Sequence, residues 1–270
     1  METEEEMSLA GNTKHNQPNW DVFDELFTAY SDLTDSYYSE FDDLIKLWDR
    51  ELSEFGQDPT HTDWANFRPL RLSREEDWSD WLAYLIETSS TGIFAKVLLN
   101  IPEQKQSAYA LPLRVDREVS HDEYRADIVV QWTNHNYTHI EVKVGDKNLA
   151  KTGATASKMR AHYQQSEQNW TNFILMLSEQ LSDWDSSDNN QPDEPITKTI
   201  TWVDVSIALR RALRSEETLL WRSWAYSYLG AVEQHLVRFS GHRLKTRPIK
   251  NLDRKIQIMK MGLENEPTNG

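Results

Sequence analysis

The chain is expected to fold as an α/β protein in which a mixed sheet is flanked by helices and preceded by a helical arm. Three observations predict this class. Residues 110–144 hold three runs of alternating polar and apolar character separated by polar turns, the pattern of half-buried antiparallel strands. The run NFILML over 172–177 is short, apolar and polar-flanked, as in a strand covered on both faces. Around these lie segments whose apolar residues recur at helical spacing.

Residues 1–18 carry a Glu run and Asn-rich punctuation and are expected to be a disordered acidic leader. Over 20–55 there is neither Gly nor Pro, and apolar residues recur at Trp20, Phe23, Phe27, Tyr30, Tyr37, Phe41, Leu44, Trp48, Leu52 and Phe55. That spacing predicts one long amphipathic helix, or two helices broken near 32–36, in an acidic arm spanning 19–66. Ser73, with Glu76 three residues later, reads as a capping box opening the helix REEDWSDWLAYLIE. Its inward stripe is Trp78, Leu82 and Leu85, and Glu75 shares that face from the first turn. Thr91-Gly92 breaks the helix, and a second short one is expected over 93–99.

Strands follow over 110–119, through Asp127, and through Glu141, the last two joined by an Asn-rich turn at 133–136. A loop carrying Lys147 and Lys151 leads to a helix over 156–167, which returns strand 172–177 alongside the meander. An acidic loop (178–195) precedes an edge strand at 199–203. One helix then runs from Asp204 to about 213 and a longer one, capped by Ser215, to about 239. No clear period follows Gly241. The expected organisation is a folded domain over 67–240 and a basic tail over 241–270.

Charge is unevenly spread. The chain carries −15, of which residues 1–60 contribute −13 from sixteen acids and three bases. Residues 238–260 hold eight bases against Asp253 alone, a local +7. The absence of cysteine excludes disulfides, thiolate metal sites and cysteine nucleophiles. No apolar run approaches a membrane span and no signal sequence is apparent, so a cytoplasmic setting is expected. The motifs GxxxxGK[ST], GxGxxG, HExxH and GxSxG are missing, which argues against the usual routes of nucleotide hydrolysis, dinucleotide redox, zinc proteolysis and serine hydrolysis. His135 and His139 are an i, i+4 pair but straddle a turn, so they are expected to be solvated or hairpin-packing rather than zinc ligands.

The chemistry concentrates in YRADIVVQWTNHNYTHIEVKV, residues 124–144. Successive side chains of a strand point to opposite faces, so Glu141 and Lys143 share one face, while Asp127 sits on the polar face of the preceding strand. Two carboxylates and an ammonium can therefore meet on one side of a hairpin. That set can hold a divalent metal against a phosphodiester and steer a water towards it.

This order, with Asp on the second strand and Glu-Val-Lys on the third, resembles the PD-(D/E)XK nuclease superfamily, and the helix REEDWSDWLAYLIE with its Gly-containing turn is similar to the defence-associated, restriction-type branches. The resemblance implies a restriction-endonuclease-like core, α-β-β-β-α-β, and a Mg²⁺-dependent endonuclease, with Mn²⁺ as the other candidate ion. By position it assigns Asp127, Glu141, the Val142 carbonyl and Glu75 to the metal. Lys143 would be the residue that orients or deprotonates the attacking water, its pKa lowered by the metal. Ala126 stands where the family name has proline. On the crossover helix Tyr163 matches a tyrosine found in several branches, and Met159 stands where those carry Gln. Phosphate contacts are expected from Lys147, Lys151, Lys158 and Arg160, with 238–260 as a second basic surface. The partner is expected to be nucleic acid, DNA in the first instance, with a protein partner or second copy docking through the acidic N-terminal helices. The alternative is a catalytically inactive subunit that keeps the fold as an interaction module.

Overall fold

The structure is a computed structural model, and it describes residues 20–62, 64, 72–102, 111–145, 152–185, 196–238 and 250–264. The expected leader and residues 186–195 of the expected acidic loop lie outside them. The Gly- and Pro-free segment forms one unbroken helix, α1 (Trp20–Glu51). The weak helix formers at 32–36 do not break it, and the Thr34 hydroxyl donates to the Tyr30 carbonyl at 2.6 Å within the turn. Its stripe divides in two. Phe41, Leu44 and Trp48 are buried, as is Leu52 just beyond, whereas Leu26, Phe27, Tyr30 and Leu33 are exposed.

Two 3₁₀ turns, Ser53–Phe55 and Pro59–His61, reverse the chain. Helix α2 (Glu75–Thr88) is capped differently from expectation. Asp77 rather than Glu76 closes the box, its Oδ2 accepting the Ser73 and Arg74 amides at 2.8 and 2.9 Å. Gly92, at φ 69°, supplies the left-handed turn that lets the short α3 (Ile93–Leu98) follow directly.

Strands β1 (Pro112–His121), β2 (Tyr124–Trp132) and β3 (Tyr137–Val142) form an antiparallel meander, with Ile128 opposite Ile140. Helix α4 (Thr152–His162) crosses over to β4 (Trp170–Met176), which runs parallel to β3. After the short α5 (Leu181–Asp185), β5 (Thr197–Thr201) adds parallel to β4. The result is an open mixed sheet in the order β1-β2-β3-β4-β5. Helix α6 (Trp202–Leu213) starts at a capping box of Thr201 and Asp204. Helix α7 (Leu219–Ala231) is capped by Thr218, not Ser215, and ends in a π-helical turn at Val232–Leu236.

The sheet is covered on both sides because both faces are apolar. Ile128, Val130, Ile140, Val142, Phe173 and Leu175 belong to the main core with residues of α2, α6 and α7. Val129, Tyr137, Trp170 and Met159 of α4 form a smaller cluster.

The C-terminal segment corrects the expected tail. Helix α8 (Lys250–Leu263) buries Leu252, Ile256 and Met259 in the same cluster as Phe41, Leu44 and Trp48 of α1 and Ala208 and Ala212 of α6. Spacings of four and three place these residues on one stripe, which the surrounding bases obscure in the sequence. Trp48 Nε1 donates to the Met259 carbonyl at 3.3 Å. The folded unit therefore does not end at residue 240, and arm, sheet and C-terminal helix share one core.

Beneath α1 and α6 lies a fully buried ionic cluster. Arg210 Nη1 meets Asp58 Oδ2 at 2.7 Å, Arg210 Nε meets Glu233 Oε1 at 2.7 Å, and the guanidinium lies 4.7 Å from the Trp48 ring centre. Among the described residues no helix is long and apolar enough to cross a membrane.

Candidate active site

Glu141 and Val142 stand at the C-terminal end of β3, where parallel pairing with β4 ends, the position at which α/β sheets open their crevices. Asp127 precedes Ile128 as Glu141 follows its partner Ile140, so the two acids face each other across the end of the β2–β3 ladder. There the Val142 amide donates to Asp127 Oδ2 at 2.7 Å. Val142 thus meets the site through its amide.

Lys143 joins the acids. Its Nζ lies 2.9 Å from Glu141 Oε1 and 3.3 Å from Glu75 Oε1, and Glu75 Oε2 accepts the Val144 amide at 2.9 Å. Glu75 is the first residue of α2, so its carboxylate pins the start of that helix to the end of β3. Lys143 itself is held by its backbone, its amide donating to Leu175 at 2.7 Å and its carbonyl accepting from Trp202 Nε1 at 3.0 Å. Asp127, Glu141, Lys143 and Glu75 are therefore brought together from two strands, the segment after β3 and a helix start.

Burial pushes the Asp127 carboxyl up to about 7, and the charge on Glu141 adds to the rise against the Val142 amide and Lys143. Burial acts the other way on Lys143, but the carboxylates of Glu141 and Glu75 outweigh it and hold the ammonium above its ordinary value. In this arrangement Lys143 is a fixed cation and hydrogen-bond donor.

Two further groups, His139 and Glu118, stand at the site. His139 is fully buried, not solvated: Asn172 of the adjacent β4 is its in-register neighbour and Trp170 stacks beside its ring. Its Nδ1 lies 2.6 Å from Asn172 Oδ1, and its Nε2 lies 3.8 Å from Glu141 Oε2. Burial pulls the imidazole below its usual range. The period of two that pairs Glu141 with Lys143 also puts His139 on their face, a signal present in the sequence. Glu118, at a left-handed φ of 52° in β1, holds Arg125 Nε at 2.6 Å. Burial is the main cause lifting its carboxyl, against the pull of Arg125, with Glu76 and then Glu141 adding to the rise.

The expected nucleic-acid contacts are dispersed. Lys158 is exposed beside the Tyr124 ring, and Arg160 pairs with Glu167 at 2.9 Å. Tyr163 donates to Asp116 at 2.9 Å and packs on Tyr137 and Trp170, which engages its hydroxyl inside the fold. Lys147 and Lys151 lie outside the described residues. Of the second basic surface, Lys255 is buried, Arg254 bonds Ser178, and Lys260 pairs with Glu40 of α1. Those three bases serve the packing of α8.

As the side chains stand, no three carboxylate or imidazole groups among the described residues are arranged to hold a metal. Lys143 occupies the space at Glu141 Oε1. The donor chemistry nevertheless fits a cation, since Glu141 Oε2, Glu118 Oε1 and His139 Nε2 are buried without a hydrogen-bond partner. No family model matches the chain, and neither a curated protein nor a solved structure shows significant similarity to it.

Proposed function

We propose that this protein is a metal-dependent nuclease hydrolysing nucleic-acid phosphodiesters, a DNA endonuclease of restriction or anti-phage type with a restriction-endonuclease-like core. The observation that carries the reading is the convergence of Asp127, Glu141, Lys143 and Glu75 at the end of β3. The element order, a helix, a three-strand meander, a crossover helix and a parallel fourth strand, supports it as well.

Mg²⁺ or Mn²⁺ held by Asp127 and Glu141 would supply the positive charge that offsets the phosphate oxygens as the bond to the leaving oxygen breaks. Lys143 presents N–H donors to the attacking water or a non-bridging oxygen, and its charge stabilises the same developing anion. Glu75 orients Lys143 and fixes the Val144 backbone. Lys158, exposed on α4, would supply a phosphate contact outside the centre. The exposed Leu26, Phe27, Tyr30 and Leu33 on α1 support a protein partner there. That half of the helix carries acids and no base over 20–37, which favours a basic surface over a second copy.

The test is cleavage of plasmid and single-stranded DNA with Mg²⁺ or Mn²⁺. Asp127→Ala and Lys143→Ala should each abolish it. Cleavage that survives both substitutions would move the activity to another site or another protein.

A further inference from the structure

His139 and Glu141 share one face of β3, and their unpartnered atoms meet in a place closed to solvent. Nε2 of His139 and Oε2 of Glu141 stand 3.8 Å apart, and neither has a hydrogen-bond partner. A charged imidazolium–carboxylate pair closes to about 2.7–2.9 Å, so this is not one. The hydrogen bonds fix what faces what. Asn172 Nδ2 donates to the Thr197 hydroxyl at 2.6 Å, which turns Asn172 Oδ1 towards His139 Nδ1 at 2.6 Å. An amide oxygen accepts, so Nδ1 carries the proton and Nε2 presents a lone pair. Two buried acceptors thus face each other across a gap with no donor between them.

An ion bound at about 2.1 Å from each would span that gap. The imidazole is also held as ligating histidines are held, its other nitrogen donating to a fixed carbonyl oxygen. On the opposite side, Glu141 Oε1 is occupied by Lys143, which leaves Oε2 for the histidine side.

We infer that His139 is a metal ligand, and that with Glu141 it makes this centre a site for a first-row transition ion such as Mn²⁺ in preference to Mg²⁺. An imidazole nitrogen suits transition ions and adds little for Mg²⁺, which seeks oxygen and water. The inference rests on the metal site of the proposed nuclease, but its test does not require turnover.

The full chain, stripped with chelator, is titrated with Mn²⁺ and read by electron paramagnetic resonance, with Mg²⁺ as competitor. The expected result is Mn²⁺ binding at least ~tenfold tighter than Mg²⁺, with echo modulation from a directly bound ¹⁴N. His139→Gln, checked for folding by circular dichroism, should erase the modulation and weaken Mn²⁺ by ~10-fold or more, a loss of the size seen when histidine support is removed. Mg²⁺ affinity should stay within about twofold, since oxygen ligands dominate it. Bound Mn²⁺ without nitrogen modulation, or Mg²⁺ competing equally, would overturn the inference and leave the gap to a water; both readings come from wild-type protein. Nitrogen-coupled Mn²⁺ without any DNA cleavage sinks the nuclease reading and leaves this one standing. Cleavage lost in Asp127→Ala with no nitrogen signal does the reverse.

Discussion

The backbone N–H of Val142 donates to the carboxylate of Asp127 at 2.7 Å, directly after Glu141 at the end of the β2–β3 ladder. Asp127 therefore has two roles that conflict. It terminates the pairing of two strands, and it stands charged or protonated beside another acid in a half-buried place.

The conflict sets a pH dependence. The Asp127 carboxyl rises from 3.8 to about 7 in the fold, so between those values the folded state holds a proton that the unfolded state releases. Stability then falls as pH rises through that window, and the loss is complete above it. At ~1.4 kcal/mol per pKa unit, the effect is on the order of 2–4 kcal/mol. Asp127→Asn keeps an oxygen for the Val142 amide and removes the charge. Urea denaturation in chelator should show this variant more stable than wild type at pH 8 and equal to it near pH 4, while cleavage is lost. A variant equal to or weaker than wild type at pH 8 would refute the argument.

Lys143 leads to the opposite outcome. Its ammonium is mostly buried between Glu141 and Glu75, so removing it leaves acids facing one another without a cation. Lys143→Ala is expected to cost about 1–3 kcal/mol, the range for stranding a buried polar partner. The cost should be larger at pH 8 than at pH 5, and Lys143→Arg should recover part of it without restoring cleavage. Thermal melts at the two pH values check this. An unchanged melting temperature in Lys143→Ala at pH 8 would mean the ion pairs are not formed.

The triplet Asp127, Glu141 and Lys143 was legible because strands alternate strictly, and Glu75 because a helix face repeats at three and four. Of the two expectations for His139, solvated or hairpin-packing, the first fails because Asn172 of the neighbouring strand, thirty-three residues away, bonds its ring, and local pattern carries no information about such a partner. Helix α8 was missed for a related reason: Leu252, Ile256 and Met259 are spaced as a stripe, but the lysines and arginines between them dominate composition. One unbroken α1 and a break near 32–36 were both compatible with the apolar spacing, and the exposure of residues 24–33 leaves no tertiary contact there to force a break.

That first half gives a third prediction. Residues 24–33 are exposed on every side of α1, whereas Phe41, Leu44, Trp48 and Leu52 are buried. Deleting residues 1–36 should change the denaturation midpoint little, because residues 24–33 cover no core. Deleting 1–55 removes four buried large side chains, each worth about 2–5 kcal/mol when truncated, and should prevent folding. Equal stability of the two truncations would mean that α1 is not part of the core.

The last prediction concerns the ionic cluster that ties α6 to the turn after α1 and to the π-helical turn after α7. Arg210 is fully buried between Asp58 and Glu233, and Ser206 donates to Glu233 at 2.6 Å. Arg210→Met leaves two carboxylates without a cation in a dry interior, and breaking a buried ion pair in this way costs about 3–5 kcal/mol. Replacing Asp58, Arg210 and Glu233 together with apolar residues of similar volume removes the charges along with their desolvation cost, so the triple variant should be more stable than Arg210→Met. The packing around the guanidinium gives an independent check. A Cβ on Gly262 of α8 would stand 2.8 Å from Arg210 Cβ and 2.9 Å from the Trp48 ring, so Gly262→Ala should cost roughly 1–3 kcal/mol by overpacking. Chemical denaturation of the three variants decides the matter. If Gly262→Ala is neutral, α8 does not press on Arg210; if the triple variant is no better than Arg210→Met, then shape rather than charge makes the single substitution costly.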